Sequence, residues 1–477
     1  MRRALLLLIA AATATGSACM LGPNYKRPEA NAPHTFRDAA AASTAAAATA
    51  AAATATQTSI GDEKWWELFQ DDQLRTLIRA GLAQNYNVRI AATRILEAEA
   101  QLGITRSDQF PHASGNVAAI GQRTRQAGVN SGEPFTIGAG QVQGTLSWEL
   151  DFWGKFRRAT EGARAQLLAT QWGQRAVVTT LVSQIASAYF DLRALDLQLD
   201  ISKRTLASRQ ESLRLTQVRE RGGATSLVDV RQAEQLVYSA TGEIANLERE
   251  IAQQENFISV LLGNNPSPIT RGRALTDQPH ASDVPAGLPS ALLERRPDIQ
   301  QAEQLLVAAN ANIGVAKAAY FPQITLTGNG GFQSTALSTL FTGTAAVWTT
   351  TAALAQPIFT AGRTRSQVAL AEARQQELVL TYQQAIKQAF REVSDALIGY
   401  RKIREFREQE ELLVASAQDA RRLAQLRYEG GAASYLEVLD ADTRLFAAEL
   451  GLAQAQSSEL ATLVEIYRAL GGGWQQQ

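Results

Sequence analysis

The chain has 477 residues, 45% of them hydrophobic, and its 46 basic and 46 acidic side chains cancel to a formal charge of zero. That balance excludes the basic field needed to hold nucleic acid. Three histidines far apart in sequence (His34, His112, His280) and a single cysteine give no recognisable metal site. No phosphate-binding glycine loop or nucleophile motif occurs either, so no catalytic residue, metal or cofactor is expected.

At the N-terminus, Arg2 and Arg3 precede an apolar run over residues 4–12. The run is too short to span a bilayer and suits an export signal occupying residues 1–18. Gly16, Ser17 and Ala18 lead directly to Cys19, the only cysteine. This arrangement resembles a bacterial lipoprotein signal, which implies a lipid anchor on Cys19, and Met20 in place of an aspartate implies sorting to the outer membrane. The mature N-terminal segment, 19–61, contains a low-complexity Ala/Thr linker at 39–56.

From residue 62 onward the chain is an internal repeat, with halves at 62–262 and 299–470, a connector at 263–298 and a tail at 471–477. Leu215, Gln217, Arg219, Gly222, Gly223, Ala224, Ser226, Val230 and Ala233 recur 208 positions later, from Leu423 to Ala441. Leu146, Gly154 and Lys155 match Leu354, Gly362 and Arg363 at the same offset, whereas Gly103, Phe110 and Pro111 match Gly314, Phe321 and Pro322 at 211. A repeat this long is one half-molecule used twice, not a small solenoid unit.

Each half predicts the same order: helix, Phe-Pro, two strands, a very long helix, Gly-Gly, helix. Strands are expected at about 112–125, 137–151, 323–332 and 345–356. In the second of these, Val142, Leu146, Trp148 and Leu150 share a face with Gly138, Gly140 and Gly144. Gln141, Gln143, Thr145, Ser147, Glu149 and Asp151 take the other, the apolar-out, polar-in pattern of a barrel strand around water. Trp348 suits an interfacial aromatic belt. Four strands are too few to close a barrel, and open edges are not tolerated in lipid, so several copies must combine.

The long helices, about 155–221 and 363–429, contain no proline. Val178, Leu181, Ile185, Ala188, Leu192, Leu195 and Leu199 form a 3-4 seam, repeated by Ile386, Ala389, Val393, Ala396, Tyr400 and Ile403. Such spacing predicts coiled-coil packing. Glycine pairs then end both helices, and Ser226 and Ser434 are expected to cap the returning ones, at about 226–262 and 434–470.

Several separated motifs resemble the TolC-like outer-membrane factors, in particular the lipoprotein (NodT/OprM-like) branch serving resistance-nodulation-division efflux systems. They are LPSALLERRPD at 288–298, Ala302 and Glu303, AKAAYFP at 316–322, GPNY at 22–25 and the Trp65-Trp66 pair with Phe69, Asp72 and Leu74. The resemblance implies a mainly α fold with a membrane β-barrel portion: a homotrimer with a twelve-stranded barrel continuous with a twelve-helix periplasmic tunnel. It implies a passive exit duct for small toxic compounds, sited in the outer membrane, working with a periplasmic adaptor and an inner-membrane pump. A type I protein secretion channel and a non-pore periplasmic coiled-coil scaffold are the alternatives.

Under the resemblance, Gly222, Gly223, Ala224, Gly430, Gly431, Ala432 and Ser434 are adaptor contacts. Leu436, Glu437 and Asp440 match the family's gate segment, while Asp229 and Tyr428 resemble positions that tie closed tips together. Two positions depart from relatives: Thr443 stands where some carry a basic residue, with Arg444 next, and Ala433 replaces a basic tether.

Overall fold

The computed structural model describes residues 20–29, 33, 36, 59–124, 135–279 and 289–474. The export signal, Cys19 and the Ala/Thr linker lie outside the described residues.

The first half contains α1 (Trp65–Leu68), α2 (Asp72–Gln84), α3 (Tyr86–Ser107), β1 (His112–Thr124), β2 (Phe135–Leu150), α4 (Lys155–Arg221) and α5 (Leu227–Leu261). The short α6 (Leu292–Arg295) follows the connector. The second half has α7 (Pro297–Ala318), β3 (Gln323–Ser334), β4 (Ala346–Ala355), α8 (Arg363–Glu429) and α9 (Tyr435–Ala469). The repeat is reproduced in the element lengths. Helices α4 and α8 have 67 residues each, α5 and α9 have 35, and α3 and α7 have 22. At 1.5 Å per residue, each long helix extends roughly 100 Å.

Positive-φ glycines recur at the same offset: Gly154 with Gly362, Gly223 with Gly431, and Gly263 with Gly471. The chain reverses or bends at these points, where an L side chain would be strained. Among the described residues no helix is long and apolar enough to cross a membrane.

The four strands form one antiparallel sheet in the order β1-β2-β3-β4. Its register carries the alternation of β2 across every strand. Val142 lies opposite Val117 and Phe332, Leu146 opposite Ala113 and Gly328, and Leu150 opposite Ile324, which faces Leu354. The other face carries Gln143 opposite Asn116 and Gly331, and Thr145 opposite Ser114 and Asn329. One face is therefore mainly apolar and the other mainly polar, with Ile120 and Val347 as exceptions on the polar face and Thr350 on the apolar one. The outer edges of β1 and β4 have no partner strand in the sheet.

The chain divides into two compact units, each built from both halves of the repeat. The first comprises 1–29, 94–171 and 301–383 and contains the sheet. In it the N-terminal segment lies against the helix ends. The Leu21 amide donates to the Trp153 carbonyl at 3.2 Å, Arg158 donates to Asn24 Oδ1 at 2.8 Å, and Arg27 pairs with Glu303 at 2.6 Å. A Cβ on Gly22 would come within 2.5 Å of the Gly314 Cα, so this close approach requires glycine.

The second unit comprises 30–93, 172–300 and 384–477. Both predicted seams are buried here. Val178, Leu181, Ile185, Ala188 and Leu192 pack with Leu74, Leu77 and Ile78 of α2, Ile258 and Leu261 of α5, and Leu460 and Val464 of α9. Val393, Ala396 and Tyr400 pack with Leu463, Ile466 and Leu470. Leu195, Leu199 and Ile403, at the seam ends, are half-buried.

Asp71 organises this region. Its carboxylate caps α2 by accepting from the amides of Gln73 and Leu74 at 2.9 and 3.2 Å. It also accepts from Tyr189 Oη at 2.9 Å, the Arg273 amide at 2.9 Å and Gln278 Nε2 at 3.0 Å, joining α2, α4 and the connector. Burial pushes the Asp71 carboxyl up, but these hydrogen bonds outweigh it and hold the group below its ordinary range. The second arginine of the RRPD motif, Arg296, is buried between Asp298 at 2.6 Å and Glu392 at 2.9 Å and donates to the Ala469 carbonyl. The motif thus fastens the connector to α8 and the end of α9.

Candidate gate and adaptor surface at the helical tips

Each long helix ends in the same backbone device. At the first tip the amides of Gly223 and Ala224 return to the carbonyls of Glu220 and Arg219, at 2.9 and 2.8 Å. At the second, Gly431 and Ala432 return to Tyr428 and Arg427, at 3.1 and 2.8 Å. These bonds satisfy carbonyls left over by the helix, with glycine in the left-handed conformation at φ 72° and 73°. Gly222, Gly223, Ala224, Gly430, Gly431, Ala432 and Ser434 are all exposed, and a Cβ on Gly223 or Gly431 would meet nothing within 4 Å.

The returning helices begin differently. Ser226 Oγ accepts from the Asp229 amide, and the Asp229 carboxylate accepts from the Ser226 amide at 3.1 Å, a complete capping box. Thr225 Oγ1 also donates to Asp229. The Thr225 bond, together with those from Ser226, holds the Asp229 carboxyl below its ordinary range. Ser434 occupies the N-cap position of α9, but its side chain makes no capping bond. The expectation of matching serine caps is therefore corrected: only the first is chemically capped. The residue three places on is Glu437, whose carboxylate lies 3.5 Å from Arg427 instead of folding back onto Ser434.

The candidate gate residues fall on both tips. Leu436, Glu437 and Asp440 are exposed on the first turns of α9. Arg444 reaches Asp440 at 2.8 Å, one turn along the same helix. Tyr428 is buried against Tyr435, with ring centroids 5.4 Å apart, and the Arg219 guanidinium sits 4.5 Å from its ring centre. The Tyr428 hydroxyl is buried with no hydrogen-bond partner among the described residues. Tyr435 Oη lies 3.1 Å from Ser212 Oγ, and burial pushes its ionisation up. Asp229 and Tyr428 thus sit in separate local networks of one protomer, the former spent on its own helix start.

A family model described as outer membrane efflux protein matches residues 77–264 and 288–472, one segment in each half of the repeat. The chain belongs to the outer membrane efflux protein family. CusC of Escherichia coli, a cation efflux system protein, is 35% identical over 458 residues, covering 96% of this chain and 96% of the relative. TtgC of Pseudomonas putida, a probable efflux pump outer membrane protein, is 36% identical, covering 100% of this chain and 97% of the relative. The crystal structure of CusC matches with a TM-score of 0.85 at 33% identity, covering 95% of this chain and 100% of that one. The open state of the Neisseria gonorrhoeae MtrE outer membrane channel matches at 0.83 and 30% identity, covering 96% and 99%.

This outer membrane efflux protein is the channel of a tripartite pump, a homotrimer of the barrel-and-tunnel fold that is set in the outer membrane and extends into the periplasm. It works with a periplasmic adaptor and an inner-membrane pump. The secretion-channel and scaffold alternatives give way to this reading.

Sequence reasoning missed one cluster behind the second tip. Arg209 of α4 donates to Asp442 of α9 at 2.8 Å and to the Leu236 carbonyl of α5 at 3.1 Å, and its guanidinium lies 4.9 Å from the Phe446 ring centre. Arg421 of α8 lies 3.5 Å from Asp442 and donates to Ser208 at 2.6 Å. Four helices meet at one buried ion cluster. The available signal was a departure from the repeat: the positions equivalent to Arg209, Arg421 and Asp442 are Ala417, Leu213 and Glu234.

Proposed function

We propose that the two Gly-Gly tips form the adaptor-facing, gating end of this efflux channel, and that the chain is a passive duct that performs no covalent chemistry. The observation that carries this reading is the exposure of Leu436, Glu437 and Asp440 on one face of α9, directly behind a turn with bare backbone. Threefold repetition would turn each into a ring around a narrow opening, two of carboxylates and one apolar.

Arg427 and Arg444 partly neutralise those carboxylates within each protomer. Exposed pairs of this kind contribute at most about 1 kcal/mol, so they can exchange partners as the tips move. At Gly223 and Gly431 the open space beside the backbone lets a helical hairpin of the adaptor approach closely.

Cys19 is the proposed lipid attachment. A relative from Salmonella typhimurium, SilC, is named a probable outer membrane lipoprotein, which supports that reading. The cargo is small toxic compounds; relatives are named for cations, toluene and antibiotics, and the choice among them is assigned to the pump.

Planar-bilayer recording of the purified trimer tests the gate. Asp440→Ala, alone or with Glu437→Ala, is expected to change conductance and lower cation selectivity, and Arg444→Ala to raise that selectivity. Unchanged single-channel behaviour in all three would remove these residues from the gate. Cys19→Ser is expected to abolish lipid labelling while the trimer still inserts through its barrel; persistent labelling would refute the anchor.

A further inference from the structure

The loop between β3 and β4 folds to one side of the sheet. Strand β3 begins directly after Phe321-Pro322 and β4 leads toward α8, so residues 335–345 lie at the end of the sheet away from the helices. The helices extend into the periplasm, which makes that end the outer rim of the barrel. Two 3-10 turns, Leu337–Thr339 and Gly343–Ala345, shape the loop.

Its contacts decide which side it covers. Gly140 lies on the same face of β2 as Val142 and Leu146, the apolar one. A Cβ on Gly140 would meet Leu337 Cδ1 at 3.5 Å and Leu340 Cδ2 at 3.6 Å, so both leucines sit over that face. Phe341 packs edge-on against Phe332, which lies opposite Val142, with ring centroids 5.7 Å apart. The loop therefore leans outward, away from the polar face. Leu340 is buried in this contact, whereas Leu337 and Phe341 are 76% and 71% exposed.

The polar groups of the loop are largely spent on one another. The amides of Thr339, Leu340, Thr342 and Ala345 donate to the carbonyls of Ala336, Leu337, Thr339 and Thr342. Thr342 Oγ1 donates to the Thr339 carbonyl at 2.7 Å, and Ser334 Oγ lies 2.6 Å from Thr339 Oγ1. Internal bonding of this kind is what backbone needs at a lipid boundary.

The height of the apolar band gives the loop a purpose. On β3 the apolar face runs from Ile324 to Phe332, about 27 Å along the strand and about 21 Å tall at a tilt of about 40°. Outer-membrane barrels carry a band about 25 Å tall. One step higher the strands offer only Ser334 opposite Gly140, which supply no large apolar side chain. That level, about 26 Å above Ile324, is where Leu337 and Leu340 lie. Trp348, opposite Gly330 on the same face and 79% exposed, adds a third aromatic residue beside Phe332 and Phe341. Aromatic side chains gather where hydrocarbon meets headgroups.

We propose that the β3–β4 loop is a lipid-binding foot: Leu337 and Phe341 dock against the hydrocarbon chains of the outer leaflet. The loop completes the apolar band that the strands leave short, and it holds itself clear of the exit.

Spin labelling of the assembled trimer in phosphatidylethanolamine–phosphatidylglycerol vesicles tests the contact. Leu337→Cys and Phe341→Cys are each made in a Cys19→Ser background, so that the label has one site. Leu146→Cys, in the middle of the apolar face, is the lipid reference, and Thr349→Cys, on the polar face of β4, is the water reference. Heat-modifiable migration first selects the folded trimers. Collisions of each label with oxygen, which concentrates in hydrocarbon, are compared with collisions with a water-soluble nickel complex.

The oxygen-to-nickel ratio at 337 and 341 is expected to be at least about threefold that at Thr349 and to approach that at Leu146. A ratio at both positions equal to that at Thr349 would put the loop in water and overturn the proposal. Immobile labels reached by neither reagent would also overturn it, because the occupant would then be a neighbouring copy and not lipid.

Discussion

The two tips share a backbone and differ in chemistry. Both glycine turns close with the same three-point pattern of returning amides and nearly identical φ angles. Beyond the turn, the first tip spends its carboxylate on itself, because Asp229 closes a capping box with Ser226. The second leaves Ser434 unbonded by its side chain and frees Glu437 to face Arg427. The Tyr428 and Tyr435 rings pack at a tilt where the first copy has Glu220 and Leu227, and Leu227 is exposed. Duplication supplied two equal turns. Divergence left one as a finished helix start and made the other the end whose side chains are held by long-range contacts.

The largest test of that contrast concerns Asp442. Its removal leaves Arg209 buried without its carboxylate partner, an effect typically costing about 3–5 kcal/mol. Asp442→Ala is therefore expected to speed hydrogen exchange through the lower turns of α8 and α9 while the start of α5 keeps its protection. Equal loosening of both hairpins would mean that the cluster braces the whole tip region and not the second copy alone.

A smaller effect separates the serines. Ser226→Ala should destabilise the first turn of α5 by about 1 kcal/mol through loss of the cap. Ser434→Ala should leave α9 nearly unchanged, since no side-chain bond is lost. Exchange rates at the first-turn amides of the two helices measure both, and matching losses would erase the distinction.

The smallest effect is with pH. The Asp229 carboxyl is held below its ordinary range, so its contribution is present above the unfolded value, about 3.9, and is lost as pH falls through the folded one. Acidification toward pH 3 should loosen the start of α5 in the native chain, and Asp229→Asn should flatten that dependence. A pH response unchanged by the substitution would place the titrating group elsewhere.

Much of the fold is legible along the chain. The unbroken 3-4 spacing from Val178 to Leu192 and from Ile386 to Tyr400 specified both long helices and their buried seams. The alternation around Leu146 and Trp148 specified the faces of the sheet. Boundaries differ by one to two residues at most strand ends, as at Gln323–Ser334, where Gln333 and Ser334 continue the ladder without an apolar signal. The candidate gate is legible only in part: the resemblance points to Leu436, Glu437 and Asp440, but nothing in the sequence shows that the Arg444 guanidinium lies 2.8 Å from Asp440.

The sequence by itself determined the order and length of the elements, the face each strand presents and the need for other copies to close the barrel. These follow from periodicity and from sheet edges, which depend on residues a few positions apart. Tertiary structure alone decided which polar groups meet. Arg209 and Asp442 are 233 positions apart, and Asp71 lies 207 from Gln278. In a helix a lone Arg or Asp reads the same whether water or a buried counter-charge awaits it. Only the packing of four helices around that point removes the water and makes the pair necessary.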